Sequence, residues 1–207
     1  MDRKKYYDAE PWYLREKTRD WYQQMELSND AIKGALIALV TPESVVTEVA
    51  CGGGWLAEFL TSLKPRAYLG FDFATTAAEN AARRLEHAAN FRCVQGDALA
   101  SETYPADTNL ILAHQFFHCL VGVDRARWLS ICQGVLSRNL GSLCLSSMIG
   151  LPDSVRATVN EVTRINKPGN RYYAEDAEIQ AELRSAGFRI DEILYPEAHV
   201  AIYRARA

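Results

Sequence analysis

Residues 46–57 read Val-Thr-Glu-Val-Ala-Cys-Gly-Gly-Gly-Trp-Leu-Ala, so that an apolar strand pattern passes into three glycines and then into a helix pattern. Glycines at such a junction let a ligand approach the backbone closely, because they carry no side chain. The first N–H groups of the following helix also lack partners within the helix. This junction therefore predicts a ligand site at the carboxyl end of a strand.

Short apolar runs alternate with longer helical patterns from Val45 onward, which is typical of βα units on a parallel sheet. Two apolar runs close the chain, and because only residues 195–197 separate them, we expect antiparallel neighbours there. The expected strands are 45–50, 67–72, 91–95, 109–114, 142–148, 188–194 and 198–204. The expected helices of this region are 54–64, 75–89 with a capping box from Thr76 to Glu79, 123–137 and 175–186.

Two helix patterns precede the first strand. Apolar residues at helical spacing within residues 11–25 predict an amphipathic helix. A second helix is expected over 31–40, with the Ser-Asn-Asp run at 28–30 as its cap and Pro42 just beyond its end. The apolar stripe of the first helix needs a partner, so we expect it to cover another part of the fold.

The composition excludes several classes of protein. The 207 residues are 48% hydrophobic with a formal net charge of −3, which fits one domain and leaves no broad cationic surface for a phosphate backbone. Nucleic acid is therefore a poor candidate partner. The five cysteines are odd in number, show no CxxC spacing and suggest no metal site. We see no signal-like or membrane-length apolar segment, so we expect a cytoplasmic protein without membrane contact.

A carboxylate follows the glycines at the end of the next expected strand. Asp72 lies 20 residues after Gly52, where it can accept hydrogen bonds from both hydroxyls of a ribose diol. Gly52, Gly54 and Ala57 also fit the G-x-G-x-x-G/A pattern of dinucleotide sites, so the residues alone leave the kind of nucleoside cofactor open. No Gly-Lys-Ser/Thr follows the glycines, which disfavours a P-loop.

From about Val45 to Arg204 the chain resembles the class I S-adenosylmethionine (SAM)-dependent methyltransferases. The first motif of that family reads E/D-x-G-x-G-x-G, and Glu48, Ala50, Gly52 and Gly54 stand at the matching positions, with alanine in place of the first glycine. The resemblance implies SAM as cofactor. It also implies an α/β fold: a Rossmann-like, seven-stranded, mostly parallel sheet in the order 3-2-1-4-5-7-6, its last strand antiparallel, with helices on both faces and an N-terminal helical lid.

The same resemblance implies roles for individual residues at the cofactor. Glu48 suits the α-amino group of the cofactor and would repel a pyrophosphate, which argues against a dinucleotide. Asp72 is the ribose-binding acid, and Asp97, after the third strand, meets the adenine amino group. Phe73 and Ala98 follow these two acids and are expected to line the cofactor site.

Candidate catalytic groups follow the fourth expected strand. His114 lies where the family places groups that face both the methyl donor and the acceptor, so we predict that it contacts the cofactor and acts as a general base. His118 is a second candidate base, and His199 is expected to be structural. Aromatic faces can hold a sulfonium by cation–π attraction. The aromatic candidates are Tyr7 and Tyr172 in catalysis and Trp12 at the cofactor.

We therefore expect a methyltransferase domain over residues 1–207 that transfers a methyl group from SAM to a small-molecule acceptor, as a monomer or homodimer. One alternative is an enzyme that uses the aminocarboxypropyl arm of SAM, by transfer or cyclisation. Another is a cofactor-binding subunit without catalysis. The expected parts are an N-terminal helical lid at 1–42, a cofactor-binding core at 43–148, a substrate-side insert at 149–174, and a closing helix and hairpin at 175–207.

Overall fold

The computed structural model of the chain describes residues 26–167 and 171–207. Its helices are α1 (Glu26–Leu39), α2 (Trp55–Leu63), α3 (Thr75–Arg84), α4 (Val123–Leu136) and α5 (Asp176–Ser185). Its strands are β1 (Val45–Val49), β2 (Ala67–Asp72), β3 (Phe91–Gln95), β4 (Leu110–His114), β5 (Ser142–Met148), β6 (Arg189–Glu197) and β7 (Val200–Arg206). Short 3₁₀ helices lie at Ser101–Thr103, Phe117–Cys119, Ser137–Asn139 and Asp153–Thr158.

The described strands form one seven-stranded sheet in the order β3-β2-β1-β4-β5-β7-β6. Strands β1 to β5 pair in parallel, whereas β7 is antiparallel to both of its neighbours, β5 and β6. The order, the single reversed strand and the α/β class confirm the expected Rossmann-like sheet. Parallel neighbours place the carboxyl ends of β1, β2 and β4 at one edge of the sheet.

Helices cover both faces of the sheet. On one face, the core includes Trp128 and Leu136 of α4 and Leu183 of α5. On the other face, the core includes Leu36 of α1 and Leu60 of α2, together with residues of the central strands. Every residue of β1 is buried, including the polar Thr47 and Glu48, as expected for a central parallel strand that is covered on both faces.

The connection between the last two strands differs from the expected turn at residues 195–197. Strand β6 continues through Glu197, and the chain reverses at Ala198 and His199. Pro196 falls where the pairing of β6 with β7 is irregular, between Leu194 and Glu197. Proline is tolerated here because β6 is an edge strand, so the missing N–H removes no bond to a further strand.

Two expected helix caps are wrong. The cap residue of α3 is Ala74, and no side chain caps this helix, so Thr76 and Glu79 do not form a capping box. The capping box is found in α5, where the side chains of Glu175 and Glu178 bond each other's backbone N–H groups. Residues 28–30 lie within α1 and not at its start. The hydroxyl of Ser28 instead donates to the Glu197 carboxylate at the tip of β6.

Residues 149–174 connect β5 to α5 and are anchored on the first turns of that helix. The guanidinium of Arg164 is paired with the carboxylates of Glu175 and Glu178. It also donates to the hydroxyl of Tyr172 at 2.7 Å. These contacts fix one side of the insert against α5. The expected helix at residues 11–25 lies outside the described residues.

The described chain offers neither a membrane span nor a metal cluster. None of the described helices is both long and apolar enough to cross a membrane. Within residues 26–167 and 171–207, no three His, Cys, Asp or Glu side chains form a group that could hold a metal ion. All five cysteines are free thiols.

Candidate active site at the carboxyl edge of the sheet

Three residues singled out in the sequence meet at one edge of the sheet. Val49, the last residue of β1, pairs with Phe71 of β2 and with Ala113 of β4. The residues that come next in these three segments, Ala50, Asp72 and His114, therefore follow one another across the same edge. The sequence places them far apart, and the parallel register brings them together.

The loop after β1 alternates left-handed residues. The φ angles of Ala50, Gly52 and Gly54 are 56°, 54° and 78°. A Cβ at Gly52 would meet nothing within 4 Å, so the backbone borders open space there. A Cβ at Gly54 would lie 3.0 Å from the Cα of Ala81, so this glycine is needed for close packing on α3. Ala50 adopts a conformation that glycine adopts without strain.

Asp72 ties this loop to the segment that follows β2. Its Oδ2 accepts the backbone N–H of Gly52 at 3.0 Å, and its Oδ1 accepts that of Ala74 at 2.8 Å. A carboxylate that receives backbone N–H groups on both oxygens has a fixed orientation. Asp72 is partly exposed, so a ligand at the edge can reach it.

Glu48 is the penultimate residue of β1, so it lies just inside the sheet from this edge, and it is 3% exposed. Its Oε2 accepts a hydrogen bond from the hydroxyl of Tyr68 at 2.6 Å. Burial raises the pKa of the Glu48 carboxyl to about 8, the Tyr68 hydrogen bond opposes this change, and the negative charge of Asp72 adds to it. Glu48 is therefore mostly protonated at pH 7 when no cation lies beside it.

His114, the last residue of β4, is partly exposed but its ring nitrogens are buried, whereas His118 is buried as a whole, and both rings are neutral at pH 7. Both ring nitrogens of His114 and Nδ1 of His118 are buried without a hydrogen-bond partner among the described residues. Burial lowers the pKa of His114 to about 4. Burial, aided by the positive charges of Arg171 and Arg125, lowers the pKa of His118 to about 3. At pH 7 each ring therefore offers one N–H donor and one lone pair.

A strained turn sets the direction of the chain after His114. Gln115 has a φ of 56°, which is rare for a residue with a side chain. Its N–H donates to the carbonyl of Ser146 at 2.9 Å, and its side-chain amide donates to the hydroxyl of Ser146 at 3.1 Å. Two hydrogen bonds to Ser146 of β5 thus hold the left-handed conformation of Gln115, directly after the end of β4.

The contacts of the candidate cofactor residues after β2 and β3 point to a ligand site less clearly than those of Asp72 and Glu48 do. Asp97 is exposed and its Oδ1 accepts the N–H of Leu99 at 2.9 Å, as in a turn. Ala98 is buried and its carbonyl accepts the Tyr104 hydroxyl at 2.9 Å. Phe73 is partly buried beside Asp72. These positions border the edge from the β2 and β3 side.

Tyr172 lies next to the segment that follows β4. Its backbone N–H donates to the carbonyl of His118 at 2.7 Å. Its hydroxyl bonds Arg164 and, at 3.2 Å, the carboxylate of Glu178. Tyr172 therefore joins the insert to His118 through its backbone, and its hydroxyl is held by Arg164 of the insert and Glu178 of α5. The other two aromatic candidates, Tyr7 and Trp12, lie outside the described residues.

Tyr68 is a site residue that the sequence argument missed. It precedes Gly70 and Asp72 by two and four residues in β2, so the three share one face of the strand. A glycine inside a strand marks a close approach of another group. Gly70 in the middle of an apolar strand was the available signal, and the group that approaches is the Tyr68 hydroxyl.

Comparison with known proteins agrees with this geometry. Residues 46–139 match a family model described as a methyltransferase domain. With the sheet order and the edge described above, this match supports the resemblance of the chain to the class I SAM-dependent methyltransferases, whose cofactor is SAM. The open space at Gly52, the fixed carboxylate of Asp72 and the buried acid Glu48 fit that cofactor. No curated protein matches the chain by sequence.

Solved structures share the fold at low sequence identity. A DhpI complex with S-adenosylhomocysteine (SAH) aligns with a TM-score of 0.69 and 14% identity, covering 99% of this chain and 91% of that chain. A SAM-dependent methyltransferase from Aquifex aeolicus aligns with a TM-score of 0.66 and 14% identity, covering 88% and 92%. The [4+2]-cyclase SpnF aligns with a TM-score of 0.69 and 14% identity, covering 86% and 80%.

Proposed function

We propose that this protein transfers the methyl group of SAM to a small-molecule acceptor at the carboxyl edge of the sheet. The observation that carries the proposal is the register that brings Ala50, Asp72 and His114 together there. These residues supply a loop for the cofactor, an acid for its ribose and an imidazole for the acceptor. SAM supplies an electrophilic methyl group on a sulfonium that is already a good leaving group.

On the cofactor side, the chain binds and orients. Asp72 accepts the ribose hydroxyls while it holds the glycine loop, and Gly52 lets the backbone approach closely. Glu48 receives the α-ammonium group, and Asp97, with Phe73 and Ala98 beside the edge, borders the adenine. Fixing the sulfonium in this way contributes to the rate chiefly through proximity and orientation.

On the acceptor side, His114 works as a neutral imidazole. Because burial lowers its pKa to about 4, it binds a proton weakly and does not carry one before the reaction at pH 7. Its lone pair orients the hydroxyl or amine of the acceptor and takes the proton only as the acceptor loses it. Tyr172 forms a wall of the same space, and we infer that Tyr7 and Trp12 close it from the N-terminal segment.

The composition supports the small-molecule acceptor. A formal net charge of −3 provides no broad cationic surface for nucleic acid. Five free cysteines fit a reducing compartment, which supports a cytoplasmic location. We infer that the protein is a monomer or a homodimer.

The proposal is tested with SAM that carries deuterium on its methyl group and, in a second sample, ¹³C in its aminocarboxypropyl arm. Each is incubated with the protein and a pool of small metabolites, and product masses are followed. The proposal expects a product that gains the deuterated methyl. A product labelled only by ¹³C identifies use of the other arm. The fold likeness to the cyclase SpnF favours one further outcome, a rearranged metabolite that carries neither label.

The Asp72→Ala variant is the matched control in this experiment. If it forms the labelled product as fast as the wild-type chain, the reaction does not occur at this edge. If the wild-type chain binds SAH but neither labels nor rearranges a metabolite in any pool, the chain is a cofactor-binding subunit and the catalytic proposal fails.

A further inference from the structure

Glu48 is a buried acid without a cationic partner in the described part of the chain. Its side chain is 3% exposed, and the ion pairs formed within residues 26–167 and 171–207 do not include it. An ionised carboxylate in such surroundings is costly unless a positive charge lies beside it. The group therefore keeps a proton until a cation arrives.

Tyr68 reaches Glu48 through a gap in the side chains of β2. Gly70 lies opposite Glu48 in the parallel register, and a Cβ at Gly70 would be 2.5 Å from the Tyr68 hydroxyl oxygen. The hydroxyl occupies that space and donates to Oε2 of Glu48 at 2.6 Å. The Tyr68 ring stacks on Phe91, with 4.8 Å between the ring centroids, so the donor is held rigidly.

Among the residues that the structure describes, the groups that face Glu48 carry no positive charge. Asp72 and Tyr68 come from β2, the thiol of Cys51 comes from the glycine loop, and the thiol of Cys93 on β3 lies beside that of Cys51. His114 lies on β4, two residues beyond the residue that pairs with Glu48, and it is neutral at pH 7. A carboxyl group whose described neighbours are neutral or negative is complementary to a cationic part of a ligand, and the α-ammonium of SAM is such a part.

We propose that Glu48 is protonated in the cofactor-free protein and releases this proton to solvent when the SAM ammonium binds beside it, while Tyr68 positions the ionised carboxylate. Tyr68 acts through Glu48 and does not touch the cofactor. The inference rests on SAM binding at the edge described above and does not depend on the acceptor of the proposed methyl transfer.

The direction of the pH dependence follows from linkage. The pKa of Glu48 is about 8 without cofactor and is lower in the complex, so binding below pH 8 releases a proton. Affinity therefore rises with pH, by up to about tenfold per pH unit, and levels off above pH 8. The Tyr68 hydrogen bond stabilises the charged form, so its loss moves the levelling point to higher pH.

The experiment is calorimetric titration of the full chain with SAH, from pH 6 to pH 8.5, in phosphate and in Tris, whose ionisation enthalpies differ. The heat difference between the two buffers counts the protons released. We expect close to one proton for the wild-type chain near pH 6.5 to 7. Glu48→Gln should release none and should bind at least about tenfold more weakly, because its amide cannot pair with an ammonium.

Tyr68→Phe separates positioning from a structural role. It should weaken SAH binding on the order of fivefold at pH 7, and this loss should shrink as the pH rises. The Glu48→Gln profile supplies the contribution of all other groups, including the ligand's own ammonium. Tyr203→Phe is the matched control, since Tyr203 is another buried tyrosine whose hydroxyl donates to a carboxylate, Oδ1 of Asp176 at 2.7 Å. It should follow the wild-type profile.

Two outcomes overturn the inference while leaving the cofactor in place. One is SAH binding by the wild-type chain with no proton released. The other is a loss of affinity in Tyr68→Phe that is the same at every pH. Failure of the wild-type chain to bind SAH at all would instead reject the cofactor. Binding with proton release but no methyl transfer to any acceptor would reject only the proposed function.

Discussion

Oδ2 of Asp72 accepts the backbone N–H of Gly52 at 3.0 Å, so the acid that ends β2 holds the loop that follows β1. Its other oxygen holds the N–H of Ala74, at the start of α3. A carboxylate can accept about four hydrogen bonds, so the same group can also receive a ribose diol. Loss of Asp72 should therefore affect both the shape of the loop and the hold on the nucleoside.

We expect Asp72→Ala to weaken SAH binding by at least about tenfold, because the diol loses two charge-assisted hydrogen bonds. Asp72→Asn keeps one acceptor oxygen, so its affinity for SAH should lie between those of Asp72→Ala and the wild-type chain. Calorimetric titration at fixed pH measures both variants. NAD should not compete with SAH, and NAD binding without any response to SAH would contradict the cofactor assignment.

Ala50 offers a test of the loop geometry. Its φ of 56° is unfavourable for a residue with a Cβ, by about 1–2 kcal/mol. Ala50→Gly removes this strain, and the greater freedom of glycine in the unfolded chain offsets part of the gain. We expect stabilisation of up to about 1 kcal/mol in urea unfolding.

Ala100→Gly is the control for Ala50→Gly. Ala100 has a φ of −105°, where alanine is not strained, so its replacement should destabilise the fold slightly. If both replacements lower the free energy of unfolding by the same amount, the left-handed conformation of Ala50 is not what limits the loop.

The shifted pKa values of Glu48, His114 and His118 predict that the free energy of unfolding is greatest near pH 6.5. The pKa of Glu48 rises on folding from 4.5 to about 8, so the folded state holds an extra proton and stability falls as the pH increases from 6.5 to 8. The pKa values of His114 and His118 fall from 6.5 to about 4 and about 3, so stability falls as the pH decreases below 6.5. Each such group contributes a slope of up to about 1.4 kcal/mol per pH unit.

Urea unfolding at a series of pH values measures this profile. Between pH 4.5 and 6.5, the two histidines outweigh Glu48, and above 6.5 only Glu48 contributes. Glu48→Gln should abolish the decline from pH 6.5 to 8 and leave the acid limb in place. A wild-type profile that is flat over that upper range would mean that Glu48 is ionised in the folded, cofactor-free chain.

Much of the sheet could be predicted from sequence because its signals are local. Apolar runs, the glycines at 52–54 and the position of Asp72 indicate βα units and a site at the carboxyl edge. The Tyr68–Glu48 contact could not be predicted in this way, because it joins two strands through a gap at Gly70. The turn expected at Pro196 was wrong for a similar reason, since proline signals a turn unless the strand is known to lie at an edge.

The catalytic role of His114 predicts a separation of turnover from binding. We expect His114→Gln to leave SAH affinity within about threefold and to lower turnover by about 10²–10⁴, the usual effect of removing a general base. Turnover is measured with the acceptor that the labelling experiment identifies. Because the pKa of His114 is about 4, the wild-type rate should not fall between pH 8 and pH 5 through protonation of this ring.

His199→Gln is the control for His114→Gln. Nδ1 of His199 lies 3.2 Å from the carbonyl oxygen of Ile149, and His199 precedes β7, which is two strands from β4 in the sheet, so its replacement should leave turnover unchanged. Equal turnover of His114→Gln and the wild-type chain would return His114 to a packing role.

The N-terminal residues provide the last prediction, that the segment before α1 closes over the site. Its sequence combines an apolar helical stripe with additional aromatic residues, including Tyr7 and Trp12. An apolar stripe must be buried, and the carboxyl edge is where a cover would exclude water from the reacting groups.

Because Ser28 of α1 bonds Glu197, a truncated chain should keep that helix, and one that starts at Met25 does so. We expect the truncated chain to unfold at a temperature close to that of the full chain and to bind SAH, but to lose most of its turnover. Thermal unfolding, calorimetry and the labelling assay measure these three properties. Full turnover would disprove the lid, and failure to fold would show that the segment belongs to the core.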